Sequence, residues 1–209
     1  MVVNPSTCRP RVAFQGEHGA FSEEAAIKLL GPEIELVPRP TFASLFRSLD
    51  EGLADYALAP VENSLIGIIR PSFDLFEKSS LVTIGEVVIP IAQHLIACPG
   101  VSFEELEVVQ SHPAALAQCV RFFIENPTLQ RVEAEDTAGS VATIIARDDR
   151  KLAAIAGRRA AELYGGTILK ENIQDRRDNQ TRFLLLSGSA ERSPLLNTAG
   201  SKRNTNHDR

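Results

Sequence analysis

The sequence predicts an α/β protein of two lobes, with mainly parallel sheets around a central cleft. Three observations predict it. Short apolar runs alternate with helix-like segments in two successive blocks, a pattern that builds parallel sheets flanked by helices. Between the blocks, the apolar runs at 82–89 and 94–97 have the length of strands that cross from one lobe to another. A last apolar run, 182–186, follows the second block and returns the chain to the first lobe. On this reading lobe 1 comprises residues 11–83 plus 175–188, and lobe 2 comprises 84–174. Residues 189–209 are a polar, aperiodic tail expected to be disordered.

The first block opens with VAF at 12–14, read as a strand, and a loop at 16–19. Ser22, followed by Glu23 and Glu24, caps and charges the start of a helix that Gly31 and Pro32 stop. Residues 34–37 form a second strand, 41–51 a second helix and 56–60 a third strand that runs into VENSLIG, completing β-α-β-α-β. A helix near 71–77 precedes the crossover runs. The second block repeats the alternation: strand 107–110, helix 113–125, strand 131–134, helix 138–146, strand 152–155 and helix 157–164. Pro113 suits the first position of its helix, where no intrahelical N–H is needed.

Composition excludes several classes of function. At 209 residues and 22.8 kDa the chain buries a proper core, and 44% apolar with 23% charged residues is ordinary for a globular protein. A net charge of -5 and the absence of like-charge blocks argue against nucleic-acid partners, while leaving room for a local pocket that holds a small anion. Cys8, Cys98 and Cys119 are odd in number and lack CxxC spacing, so neither a disulfide framework nor a zinc site is indicated. The four histidines have no paired helical spacing, and no metal is expected. The opening MVVNPSTCRPRVAF has arginine and proline where a signal peptide needs an apolar core, and no apolar run approaches membrane-spanning length. The expectation is a cytoplasmic protein with no membrane partner.

In open α/β sheets, ligands bind beyond the carboxyl ends of strands. Four stretches place polar residues there. PVENSLIG sets Glu62, Asn63 and Ser64 after the third strand, although asparagine and serine also suit an ordinary turn. SHPAALAQ carries Ser111 and Gln118, two helical turns apart on one side; capping explains Ser111 equally well. DTAGS offers Thr137 as a helix cap, with the small Ala138 and Gly139 leaving backbone N–H groups open to an anion; a plain N-cap is the simpler account. DNQTRFLLL brings Thr181, Arg182 and Phe183 to the lip of the last strand, where alternation points Thr181 and Phe183 together and Arg182 away.

Together and in order, GEHGAFSEEAA, PVENSLIG, SHP with its downstream QC, DTAGS, AAIAGRRAAELYGG and NQTRF resemble the prephenate dehydratase family over about residues 12–186. The resemblance implies two α/β lobes like those of type 2 periplasmic binding proteins, agreeing with the alternation. It implies the decarboxylating dehydration of the dicarboxylate prephenate to phenylpyruvate, in phenylalanine biosynthesis, with no cofactor. Thr181 is then the essential hydroxyl, placed to donate toward the leaving oxygen. Glu62 is a second acid candidate if a partly buried carboxyl stays protonated. Asn63, Ser64, Ser111, Gln118, Thr137, Ala138 and Gly139 line the substrate, with Ser111, Thr137 and Gly139 holding carboxylates. Arg182 anchors an anion or ties its strand to neighbours, and Phe183 packs on the substrate ring or in the core. A homodimer or higher homo-oligomer is implied as well.

The family commonly continues into a regulatory ACT domain after this last strand, and SGSAERSPLLNTAGSKRNTNHDR is far too short for one. The expectation is therefore a catalytic domain alone or a truncated product. Two alternatives stay open: arogenate as the substrate, and a noncatalytic aromatic-acid binding protein on the same architecture.

Overall fold

The computed structural model describes residues 9–189. Cys8 and, apart from Ser189, the expected tail lie outside the described residues. The chain begins β1 (Arg11–Gln15), α1 (Phe21–Leu30), β2 (Glu35–Arg39), α2 (Phe42–Asp50), β3 (Tyr56–Asn63), β4 (Gly67–Ile68), α3 (Arg70–Lys78) and β5 (Val82–Pro90). It continues β6 (His94–Ala97), β7 (Val108–Ser111), α4 (Pro113–Ala117), α5 (Val120–Glu125), β8 (Gln130–Glu133), α6 (Thr137–Arg147), β9 (Leu152–Ala156), α7 (Arg158–Tyr164), β10 (Thr167–Lys170) and β11 (Gln180–Ser187).

Two sheets result, one per lobe. The first runs β2-β1-β3-β11-β5, with β4 on β3; the second runs β10-β6-β9-β7-β8. Each has three parallel strands at one end, β2-β1-β3 and β8-β7-β9, as expected of βαβ units. The other end of each sheet is antiparallel, through β11 and β5 in the first and β6 and β10 in the second. The boundary at residue 83 is corrected, because β5 pairs with β11 from Val82 opposite Ser187 to Pro90 opposite Gln180. The whole of β5 therefore belongs to lobe 1, and the crossing falls at residues 91–93. The return crossing is tied alongside: Ile91 N–H donates to the Asn179 carbonyl, and Ile173 N–H donates to the Gln93 carbonyl.

Helices cover both faces of the first sheet. Alternating residues of β11 divide between them: Phe183 and Leu185 pack with α1 residues Ala25 and Ala26, whereas Leu184 and Leu186 pack with Leu45 and Phe46 of α2. A bulge between Arg182 and Phe183 makes Phe183 oppose Pro60 rather than Val61, and Val61 joins the α2 face. α2 starts as its sequence asks, on a reciprocal capping box between Thr41 and Ser44. The expected single helix 113–125 is instead two, since Gln118 ends α4 and Cys119 precedes α5. Burial pushes the Cys119 thiol up to about 12, so it stays a protonated core residue.

His94 opens β6 almost wholly buried, its Nδ1 accepting the Asn172 N–H at 3.2 Å. Burial first, and then Arg158, hold its pKa below the ordinary imidazole value, with Glu171 opposing. The folded protein thus binds fewer protons here than the unfolded chain. Stability should fall as pH drops from about 6.5 through the lower folded value. Denaturant midpoints of the parent protein are expected to decline over that range more than those of His94→Gln; equal declines would remove His94 as the cause.

Candidate active site

The carboxyl end of β3 and the start of β11 meet at one edge of the first sheet, with Asn63 opposite Thr181. Their side chains bond directly, and a third residue completes the group. Asn63 Oδ1 accepts the backbone N–H groups of Leu65 and Ile66, at 2.9 and 3.3 Å. That fixes which end of the amide is the donor. Asn63 Nδ2 then gives one proton to Thr181 Oγ1 at 2.9 Å and the other to Asn179 Oδ1 at 2.7 Å. Thr181 is 6% exposed and Asn179 1%. With its oxygen already accepting, the Thr181 O–H is left to donate, and it finds no acceptor among the described residues. Asn179 Nδ2 is likewise buried without a partner.

A second pair lies on the crossing. Gln93 Nε2 donates to Gln118 Oε1 at 3.3 Å, and Gln93 Oε1 is buried without a partner among the described residues. Gln93 N–H donates to Gln174 Oε1, and the Gln118 carbonyl accepts Asp175 N–H. Gln118 therefore sits beside both crossings between the lobes, and its Nε2 has no acceptor among the described residues.

Other expected residues are placed differently. Glu62 is half exposed and pairs with Arg182 at 3.1 Å, and Arg182 also approaches Glu86 at 3.6 Å. Both project from the sheet face opposite Thr181, because adjacent strand residues alternate. This corrects Glu62 as a partly buried acid, and Arg182 acts as a tie between three strands. Phe183 is core. Ser64 Oγ donates to the Asp178 carbonyl and accepts Gln180 N–H, fastening the loop after β3 to the approach of β11. Ser111 is fully buried and spends its proton on the Ile155 carbonyl at 2.6 Å, so it has no donor for a carboxylate. Asp136, not Thr137, caps α6, and its carboxylate takes the Gly139 N–H at 2.5 Å. The anion cradle expected at Thr137, Ala138 and Gly139 is thus already filled by a side chain, and Ala138 packs inside lobe 2.

The lobes face each other across the carboxyl ends of their parallel strands. A cavity of about 210 Å³ lies there, between Gln15, Gly16, Phe21 and Ser22 of lobe 1 and His112, Glu135, Asp136 and Thr137 of lobe 2. Thr137 is the one expected site residue on its wall. Nearby, two stretches that carry the family resemblance clasp each other. The Glu23 carboxylate, 1% exposed, takes Arg159 Nε of α7 at 3.0 Å and His18 Nδ1 at 2.8 Å. Tyr164 donates its hydroxyl to the His18 carbonyl. Gly19 permits the approach: at φ +87° it avoids strain, and an added Cβ would sit 3.0 Å from the Ala160 backbone. Removing one partner of a buried carboxylate is costly. Arg159→Met is expected to lower stability by about 1–3 kcal/mol, read as a shift in denaturant midpoint; an unchanged midpoint would show the clasp to be dispensable.

Sequence reasoning assigned no role to Asn179 or Gln93. Asn179 lies within the DNQTRF stretch, two residues from Thr181, but its orientation depends on Asn63 from a segment 116 residues away. Gln93 carries no spacing signal at all. Among the described residues no cluster of histidine, cysteine and carboxylates has the makings of a metal site.

Comparison with known proteins identifies the family. A family model described as prephenate dehydratase matches residues 12–191. The chain is 41% identical over 186 residues to arogenate dehydratase/prephenate dehydratase 1, chloroplastic, of Arabidopsis thaliana, covering 89% of this chain and 46% of that protein. The chain thus spans about half the length of such curated relatives. Among solved structures, prephenate dehydratase from Arthrobacter aurescens in complex with L-Phe superposes with a TM-score of 0.77 at 30% identity, covering 85% of this chain and 60% of that one. GqqA, described as a novel type of quorum quenching acylase, superposes with a TM-score of 0.75 at 32% identity, over 85% and 63%.

Proposed function

The chain belongs to the prephenate dehydratase family, and from that membership we propose that it removes water and carbon dioxide together from prephenate, giving phenylpyruvate for phenylalanine biosynthesis. In this reaction the electron pair of the bond between the ring and its carboxylate moves into the ring as carbon dioxide leaves. The ring π electrons shift, and the bond to the 4-hydroxyl breaks. Aromatisation drives the step, and the departing hydroxide takes up one proton to leave as water. The chemical demand on the protein is a donor that meets negative charge as it develops on that oxygen.

One observation carries the reading: the Asn63 amide turns the Thr181 oxygen into an acceptor and frees its proton to be donated. A threonine hydroxyl is a weak acid in water. Inside a site closed to solvent an oriented hydrogen bond of this kind is stronger, and a proton given up by Thr181 is restored from solvent after the products leave. Gln118 Nε2, beside both crossings, donates toward a substrate carboxylate. Arogenate is the second reading, favoured by the Arabidopsis relative named for both activities. It has the same reacting ring and differs only in bearing an amino group for the keto group.

Incubating the purified protein with prephenate and following phenylpyruvate tests the proposal; parallel incubation with arogenate, following phenylalanine, ranks the substrates. Turnover of either supports the dehydratase reading, and turnover of neither contradicts it. We further propose that the protein works in the cytoplasm, where free thiols such as Cys98 and Cys119 suit a reducing compartment, and that it acts as a homo-oligomer.

A further inference from the structure

We infer that Asn179 is a second donor to the departing hydroxyl, so that the leaving oxygen is met by two protons, from Thr181 Oγ1 and from Asn179 Nδ2. The inference rests on the dehydratase reading and deepens it.

The orientation of Asn179 follows from its neighbours. Asn63 Oδ1 holds two backbone N–H groups, which leaves its Nδ2 as the only end facing Asn179 and Thr181. A donor nitrogen must be met by an acceptor, so Asn179 presents Oδ1 to it, 2.7 Å away. The other end of the Asn179 amide is thereby fixed as a donor. It is buried, on a residue 1% exposed, and no described atom accepts from it. Leaving a buried donor unpaired costs about 1–3 kcal/mol, which a fold has no reason to bear unless something else supplies the acceptor.

Asn179 Oδ1 and Thr181 Oγ1 lie within 2.9 Å of the same nitrogen, so one hub sets the direction of both free protons. Two donors on groups that share the Asn63 nitrogen, with no acceptor among the described residues, suit an oxygen that gains negative charge. They do not suit an ammonium. A ketone or carboxylate bound equally in substrate and transition state would also accept from Asn179, and kinetics separates the two cases. A contact made chiefly to the leaving oxygen acts on kcat; a contact to an unchanging group acts on KM.

The test compares Asn179→Asp, Asn179→Ser and Asn179→Ala with the parent protein, turning over prephenate, with thermal melting of each. Asn179→Asp keeps an oxygen for Asn63 and loses the donor, so it separates catalysis from structural support. It is expected to melt near the parent, with kcat lower by about 10² and KM changed by less than about threefold. An Asn179→Asp protein within about threefold of the parent kcat, or one whose whole loss lies in KM, overturns the proposal. If Asn179→Asp does not fold, Asn179→Ser decides. Its hydroxyl should recover about tenfold in kcat over Asn179→Ala, and equal rates for the two overturn the proposal. A parent protein inert toward both prephenate and arogenate removes the dehydratase reading itself; an active parent with an active Asn179→Asp removes only the role of Asn179.

Discussion

Thr181→Ala is expected to fold and to lose about 10²–10³ in kcat, roughly 2.7–4 kcal/mol of transition-state stabilisation, with a much smaller change in KM. The reason is the direction of one proton. Asn63 Nδ2 donates to Thr181 Oγ1, so the hydroxyl has a proton to give and no acceptor among the described residues. Alanine removes that donor and leaves one Asn63 N–H unpaired, a stability loss of about 1 kcal/mol that melting would register separately. Thr181→Ser should recover part of the rate, because it keeps the hydroxyl and loses only the methyl that restricts its rotamer. A threonine that merely enters a strand predicts something else: a modest change in stability and near-normal turnover. A folded Thr181→Ala protein with the parent kcat would remove Thr181 from the mechanism.

The fold was legible in the sequence where the physics is local. The alternation of strand-like runs with capped helices located β1 to β3 and β7 to β9 to within a few residues; β1, β3 and β9, buried on both faces, read as short apolar runs, while the edge strands β2 and β8 followed from their place in the alternation. Thr41 and Asp136 start helices with side chains of the kind that caps require, though at the second site the cap was expected one residue later, at Thr137. What was hidden depends on distant partners. β5 belongs to lobe 1 because β11 pairs along its whole length, and a strand of that kind looks the same whether it stays or crosses. The two-residue β4 and the edge strand β10 are too short and too weakly apolar to stand out.

The candidate site divides the same way. Alternation predicted that Thr181 and Phe183 share a face and that Arg182 points away, and Arg182 does so toward Glu62. The consequence for Glu62, that its pairing with Arg182 commits it to the face away from Thr181, needed the register of β3 against β11. Ser111 and Gly139 were sound as hydrogen-bonding positions, but the Ser111 proton goes to the Ile155 carbonyl, a partner 44 residues away that no spacing rule identifies, and the Gly139 N–H goes to the helix cap at Asp136 rather than to a ligand. Glu23 and Arg159 lie in stretches that carry the family resemblance, and only the packing of α1 on α7 shows that they meet.

Asn63 is where the central claim is most exposed, because its amide sets the polarity of everything around it. Asn63→Asp has nearly the same shape and keeps an oxygen for the Leu65 and Ile66 N–H groups, but its carboxylate has no proton to give. Thr181 must then donate its proton to that carboxylate, and the Asn179 amide must turn its Nδ2 inward. Both side-chain bonds of the hub are remade with their direction reversed, and the substrate meets acceptors where it needs donors. The decisive measurement is kcat for prephenate on folded Asn63→Asp protein. The account predicts a loss of at least about 10²–10³ with the fold retained by circular dichroism and melting. Turnover near the parent rate in that folded variant would contradict it, since no reversal of the hub could then leave the departing oxygen its donors.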